Sequence, residues 1–381
     1  MNILTTATGD FTLTRFPEHP REQLRAWDAA DEYLLRHLAE SGVELSGTVV
    51  ALGDRWGALV TALAAHGPTQ ISDSYLGQQA TLANLGRNRG GADGVTLLTT
   101  RDTPPARIDV LLVRVPKSLA LLEDQLHRLA PALHADTVVV GTGMVTEIHT
   151  STLQLFERLI GPTKTSLAVK KARLIFSTPA PGPARGADPW PLSYALPGDI
   201  GVASGRTVVN HAGVFCAERL DIGTRFLLQH LPVRRGPELV ADLGCGNGVV
   251  GTAAALGNPE AELLFVDESH QAVASAEATF RANLPAGAKA TFRAADGLAG
   301  TPAGSLDLVL NNPPFHSHQA TTDATARRMF LDARAALRPG GELWVVGNRH
   351  LGYHVTLRRI FGNAQLVAGN PKFVILRAVK R

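Results

Sequence analysis

The chain has 381 residues, 45% of them hydrophobic and 19% charged, with a formal net charge of +3. This length and composition supply the cores of two ordinary domains and exclude a disordered chain. Two cysteines, Cys216 and Cys245, make neither a disulfide framework nor a four-thiolate metal site; no apolar run nears the roughly 18–20 residues of a membrane span, and the opening MNILTT, with no basic start and no long apolar run, is not expected to act as a signal peptide.

A soluble, cytoplasmic protein without membrane contact is therefore expected, and a monomer is expected as well, although nothing in these features bears on the oligomeric state. The small positive excess permits an acidic partner such as nucleic acid without demanding one.

In chain order, Thr48–Gly53 (TVVALG) reads as a strand, followed by an apolar helical stretch at Trp56–Ala65. Thr69–Asp73, Ile108–Val113 and Thr137–Gly141 read as further strands. From Thr178 to Gly201, six prolines and several glycines forbid a long helix or a central strand, so residues 181–201 are expected to link domains at 1–180 and 202–381. The second half repeats the alternation: strands at Glu238–Asp242, Leu263–Asp267, Leu306–Leu310 and Glu342–Val346, with helical patterns between them. Alternating strands and helices predict α/β architecture with doubly wound parallel sheets.

The first half reads as a worn copy of the second. Gly53 matches Gly246, Asp73 matches Asp267, Pro116 matches Pro313 and Gly161 matches Gly362, with an offset that drifts slowly upward. Small loop insertions in a duplicated domain produce such a drift.

The chemistry concentrates in the second half. Asp242-Leu243-Gly244-Cys245-Gly246-Asn247-Gly248 follows a strand and precedes a helix. Glycines there allow a tight turn and let a ligand approach the backbone. A lone glycine turn is common, but Asp267 closes the next strand about 20 residues on, where an acid can hold both hydroxyls of a ribose. The G-C-G-N-G spacing suits S-adenosylmethionine better than a dinucleotide. Ala294-Ala295-Asp296-Gly297 then offers an acid to an adenine amine.

Asn312-Pro313-Pro314-Phe315 follows the strand LDLVL. An amine on a flat ring is a poor nucleophile because its lone pair is delocalised. Acceptors on its hydrogens draw that pair toward an incoming methyl group. The Asn312 side-chain oxygen and the Pro313 carbonyl are suitable acceptors, and Phe315 offers a face for a flipped base. His316, His318 and Asp323 match no standard zinc spacing, and methyl transfer needs no metal, so none is expected. Within Gly213–Leu228, Asp221, Gly223 and Thr224 stand where a segment would cover the methionine end of the donor, or equally where a helix begins.

In the first half these groups are gone. Arg55 and Trp56 would intrude on a ligand, and Arg114-Val115-Pro116-Lys117 replaces the acceptor string with two cations suited to phosphate.

The strings DLGCGNGVVG (242–251), FVDES (265–269), NPPFH (312–316), VVGNRHLGYH (345–354) and IFGNAQLVAGNPKFVILRAVK (360–380) resemble the bacterial ribosomal RNA guanine-N2 methyltransferases with paired domains. So do AWDAADEYLL (26–35) and DSYLGQQATLANL (73–85). The members acting on 23S ribosomal RNA are the nearer match, and the 16S enzymes are the sister group. The resemblance implies two tandem class I methyltransferase (Rossmann-like) domains, the N-terminal one degenerate and structural or RNA-binding. It also implies S-adenosylmethionine as donor, a guanine amine as acceptor and ribosomal RNA as partner. Catalytic roles fall on Asn312, Pro313, Pro314 and Phe315. Donor contacts are expected from Asp242, Gly244, Cys245, Gly246, Asn247, Gly248, Asp267, Glu268, Ala295, Asp296, Asn312 and Thr224. Two positions depart from the family's usual pattern: Asn311, where a small residue is common, and Asp296, where Asn is common. Adenine-N6, cytosine-N4 or glutamine-amide methylation would use the same acceptor string, and an inactive RNA-binding assembly factor is the non-enzymatic alternative.

Overall fold

The computed structural model describes residues 2–18, 22–88, 93–180, 186–314 and 319–381. The chain forms two compact units, Met1–Pro189 and Trp190–Arg381. The boundary falls inside the segment expected as a linker. Leu192–Ala195, between Pro191 and Pro197, is a strand that pairs antiparallel with Thr207–Asn210. A two-stranded ribbon tolerates flanking prolines because it needs few ladder bonds at its ends.

In the first unit the sheet comprises β1 (Val49–Leu52), β2 (Thr69–Ser72), β3 (Thr96–Thr99), β4 (Ile108–Arg114), β5 (Leu133–Met144), β6 (Thr163–Thr165) and β7 (Ala172–Ser177). Its spatial order is β3-β2-β1-β4-β5-β7-β6. The second unit has β8 (Leu239–Leu243), β9 (Glu262–Asp267), β10 (Ala290–Ala294), β11 (Leu306–Asn311), β12 (Leu337–Asn348), β13 (Gln365–Gly369) and β14 (Phe373–Val379), in the order β10-β9-β8-β11-β12-β14-β13. The two orders are identical. In each, five strands run parallel and the strand beside the fifth returns antiparallel. This is the doubly wound Rossmann-like arrangement, present twice.

Buried residues alternate between the two faces of the second sheet. Val240, Leu308, Leu310 and Val346 join the core on one face, and Ala241, Val309, Leu343 and Val345 join the core on the other. Helices cover both faces, so the central strands read as unbroken apolar runs. Each unit also carries a short antiparallel ribbon stitched to the helix after its second strand. Asn88 and Asn84 accept from Thr12 and Thr14 in the first unit. Asn283 and Thr279 accept from Thr207 and Val209 in the second. The duplication therefore extends to the ribbons, which the strand pattern alone did not suggest.

Hydrogen-bond register corrects the residue matching. Gly53 donates to Ile71 as Gly244 donates to Val266, and both glycines are left-handed, with φ of 73° and 72°. Gly53 thus corresponds to Gly244, not Gly246. Ser72 corresponds to Asp267, and the capping Ser74 to the capping Ser269. Leu52 pairs with Val113 as Leu243 pairs with Asn311, so Arg114 stands in the place of Asn312 and Pro116 in that of Pro314.

Candidate active site

β8 ends at Leu243, and the turn that follows is pinned to the end of β9. The Gly244 and Cys245 N–H groups both donate to the Val266 carbonyl, at 2.8 and 3.0 Å. The helix Val249–Gly257 begins at once. Asp242 is buried, and its carboxylate accepts from the Gly251 N–H at 2.7 Å. Burial, aided by the charge of Asp267, pushes the Asp242 carboxyl up to about 7. Cys245 is buried too, which holds its thiol well above the usual range.

Two glycines in this turn are required for different reasons. At Gly248 a Cβ would lie 2.6 Å from the Cα of Ala276, so the turn packs against the helix after β9. At Gly246, with φ of 51°, an added Cβ would meet no heavy atom within 4 Å. Its backbone borders open space, as a ligand cradle requires.

The Gly246 N–H donates to Asp267 Oδ2 at 3.0 Å, and the Ser269 N–H donates to Oδ1 at 3.1 Å. These bonds fix the acid beside the open glycine. The Ala295 N–H donates to the Asp267 carbonyl, which brings the third strand's loop to the same place. Asp296 points its carboxylate at Arg328, with an ion pair of 2.7 Å, so the acid expected to meet an adenine amine already holds a cation. Glu268 is exposed, one residue past Asp267.

β11 ends with Asn311, fully buried, whose Nδ2 donates to the Leu243 carbonyl at 2.7 Å. This bond ties the acceptor strand to the glycine turn. The next side chain, Asn312, donates from Nδ2 to Thr224 Oγ1 at 2.9 Å. Its Oδ1 is buried and has no hydrogen-bond partner among the described residues. A buried carbonyl oxygen without a donor costs about 1–3 kcal/mol, so its presence calls for a ligand or a function. Pro313 is buried and Pro314 exposed. Phe315, His316 and His318 lie outside the described residues, as does the side chain of Asp323. Among the described residues no cluster of His, Cys, Asp or Glu could hold a metal ion, and no helix is long and apolar enough to cross a membrane.

Two residues absent from the sequence reading adjoin the turn. Asn247 Nδ2 donates to Asn210 Oδ1 at 3.0 Å, and the fully buried Asn210 keeps an unpartnered Nδ2. Tyr194, on the paired strand, has its hydroxyl pushed up to about 12, chiefly by burial. The only sequence signal was an amide ending the apolar run TVVN, which is too common to single out.

In the first unit the same place is filled. Asp54, Arg55 and Trp56 replace Cys245, Gly246 and Asn247. The Arg55 guanidinium lies 2.6 Å from Glu147 and 3.5 Å from Asp28. Arg114 was expected to offer its charge to phosphate. It is instead wholly buried, 2.6 Å from Asp28, 2.8 Å from Glu147 and 3.4 Å from Asp31. Three carboxylates of the same unit engage the guanidinium, so Arg114 itself offers no exposed charge to phosphate. Burial would raise Glu147, but Arg114 and Arg55 hold it down to about 2. Burial dominates at Asp31 and pushes it up to about 7. Lys117 remains exposed.

The domain family described as "RLMG N-terminal domain" matches residues 1–181, and that described as "Methyltransferase small domain" matches residues 205–377. The chain is 71% identical over 384 residues to the ribosomal RNA large subunit methyltransferase G of Streptomyces griseus, covering 100% of each chain. It is 51% identical over 381 residues to the Pseudomonas aeruginosa protein of the same name, again covering both in full. Among solved structures, the Thermus thermophilus 16S rRNA N2 G1207 methyltransferase, in complex with AdoMet and guanosine, superposes with a TM-score of 0.75. It is 21% identical and is covered over 97% of its length by 100% of this chain, a likeness of fold.

Proposed function

This chain belongs to the ribosomal RNA large subunit methyltransferase G family, and from that premise we propose that it methylates the exocyclic N2 amine of a guanine in 23S ribosomal RNA, with S-adenosylmethionine as donor. The observation that carries the acceptor site is the Asn312 amide: Nδ2 is engaged by Thr224, and Oδ1 is buried and unpartnered among the described residues. A planar NH₂ supplies the missing donor. The Pro313 carbonyl takes the second hydrogen of that amine, and Phe315 stacks on the base.

The residues around Gly246 fit the donor: an open backbone edge, with Asp267 held beside it. Asp267 would accept from the ribose hydroxyls, while Ala295 lies on the adenine side. Asn210 and Asn247, joined by their amides beside the turn, would hold the methionine end. When bound there, the donor supplies an electrophilic methyl group on a sulfonium. Gly244, Cys245 and Gly248 shape the turn, and Asp242 holds the helix start. With two acceptors on its hydrogens, the amine's lone pair is directed out of the ring, and the rate gain comes from holding it in line. The product sheds its proton readily, so no strong base is needed. A paired target must be extruded, at a cost of a few kcal/mol.

The protein is proposed to act as a cytoplasmic monomer, with its first unit a structural or RNA-contacting platform. Labelled methyl transfer to 23S and 16S ribosomal RNA and to release-factor protein, followed by nucleoside chromatography, tests the reading. N2-methylguanosine in 23S alone is expected. Label in another nucleoside, in 16S or in glutamine overturns it. Asn312→Ala is expected to abolish transfer and leave donor affinity within about two-fold; an equal loss of affinity would remove Asn312 from the acceptor role.

A further inference from the structure

We propose that Thr224 is a positioning residue that fixes which way round the Asn312 amide sits. The argument rests on the reading of Asn312 given above and on the donor–acceptor limits of three side chains. Asp221 caps the helix Ile222–Leu228, and its Oδ2 accepts from the Thr224 N–H at 2.8 Å. The same oxygen accepts from Thr224 Oγ1 at 3.2 Å. Because that oxygen accepts from both groups, the single hydroxyl proton of Thr224 is committed to Asp221. What the hydroxyl can still offer Asn312 is a lone pair. The amide must then turn its NH₂ toward Thr224, at 2.9 Å, and Oδ1 is left on the other side of the amide. The flipped amide would set a carbonyl oxygen against the hydroxyl oxygen with no proton between them.

The cap gives this relay its rigidity. Thr224 sits in the first turn of the helix and is buried. Its hydroxyl position follows from backbone geometry and not from a mobile loop. Without the hydroxyl, both orientations of the amide become available, and the flipped one presents two N–H donors to a substrate that itself brings donors. Such a state repels the amine. The role differs from donor binding, because the contact runs to the acceptor residue.

Thr224→Val and Thr224→Ala both remove the hydroxyl, the second without added bulk. Thr224→Ser keeps it. Each variant is assayed as the full chain on ribosomal RNA, with folding checked by circular dichroism and S-adenosylmethionine affinity by calorimetry. Loss of the hydroxyl is expected to lower kcat by about 10- to 100-fold, the scale of a misplaced reacting group. Donor affinity should change by less than about three-fold, and Thr224→Ser should restore kcat. Unchanged kcat in both hydroxyl-less variants would overturn the proposal. So would a fall in donor affinity that matches the fall in rate. If Asn312→Ala by itself retains transfer, the acceptor reading fails first; if it abolishes transfer and Thr224→Ala does not impair it, only the relay fails.

Discussion

Arg114 and Asn312 hold the same position in two copies of one fold, each following the strand residue that lies beside the leucine before the glycine turn. In the second unit that position carries an amide with an unpartnered buried oxygen. In the first it carries a guanidinium enclosed by Asp28, Asp31 and Glu147. The first unit has kept the backbone of the turn, with left-handed Gly53 and Gly57, and filled the space above it with ion pairs. A vacated pocket would leave buried polar groups unsatisfied, and the ion pairs of Arg114 with Asp28 and Glu147 remove most of that cost.

Arg114→Met keeps much of the volume and deletes the charge. Three carboxylates then share a buried place with only Arg55 nearby, and the loss is expected to be about 3–5 kcal/mol. Calorimetry at pH 8 should show a lower melting temperature. The deficit should shrink toward pH 5, because unpaired buried carboxyls take up protons. A deficit of the same size at both pH values would mean that packing, not charge, explains the loss.

Gly246→Ala places a methyl group over the open backbone beside Asp267. The left-handed φ costs about 1–2 kcal/mol in stability. Affinity for S-adenosylmethionine should fall by about ten-fold or more, the equivalent of 1.4 kcal/mol. Gly304→Ala is the control: it is also left-handed with open space around it, but lies on an exposed loop. It should share the strain and leave affinity unchanged. Equal effects of the two substitutions on affinity would deny Gly246 its place in the cradle.

The Asp242 carboxyl titrates at about 7 in the folded chain, against an ordinary value of 3.8. The folded state therefore holds this proton more tightly than the unfolded state. Its contribution is fully present below pH 4 and is lost as pH rises through 7. Asp242→Asn keeps an acceptor for the Gly251 N–H and cannot ionise. Relative to the wild type, the variant should gain stability progressively between pH 4 and 8 in denaturant titrations. A stability difference that does not vary with pH would contradict this assignment.

The strands of both sheets and the glycine turn were legible in the sequence because each rests on local chemistry. Parallel strands buried on both faces must be apolar runs, a turn that bends back needs left-handed glycines, and both patterns survive in a linear string. The string Asn312–Phe315 stood out through its company: taken alone it reads as a turn that ends a strand, and only with the glycine turn and Asp267 in order before it does it point to an acceptor site. The duplication was legible too, but matching like letters set Gly53 against Gly246 and Asp73 against Asp267, where hydrogen-bond register sets Gly53 against Gly244 and Ser72 against Asp267. Identity of letters ignores which carbonyl a given N–H can reach.

Only the tertiary structure decided what long-range partners do to a side chain. Arg114 reads as a free cation until Asp28, Asp31 and Glu147, far from it in sequence, close on it. Asp296 reads as an available acid until Arg328 reaches it. Thr224 reads as a donor contact or a helix start until Asn312, 88 positions away, donates to it. Sequence fixes which groups a residue can donate or accept. Whether that capacity is spent inside the protein or left for a substrate depends on contacts that folding alone assembles.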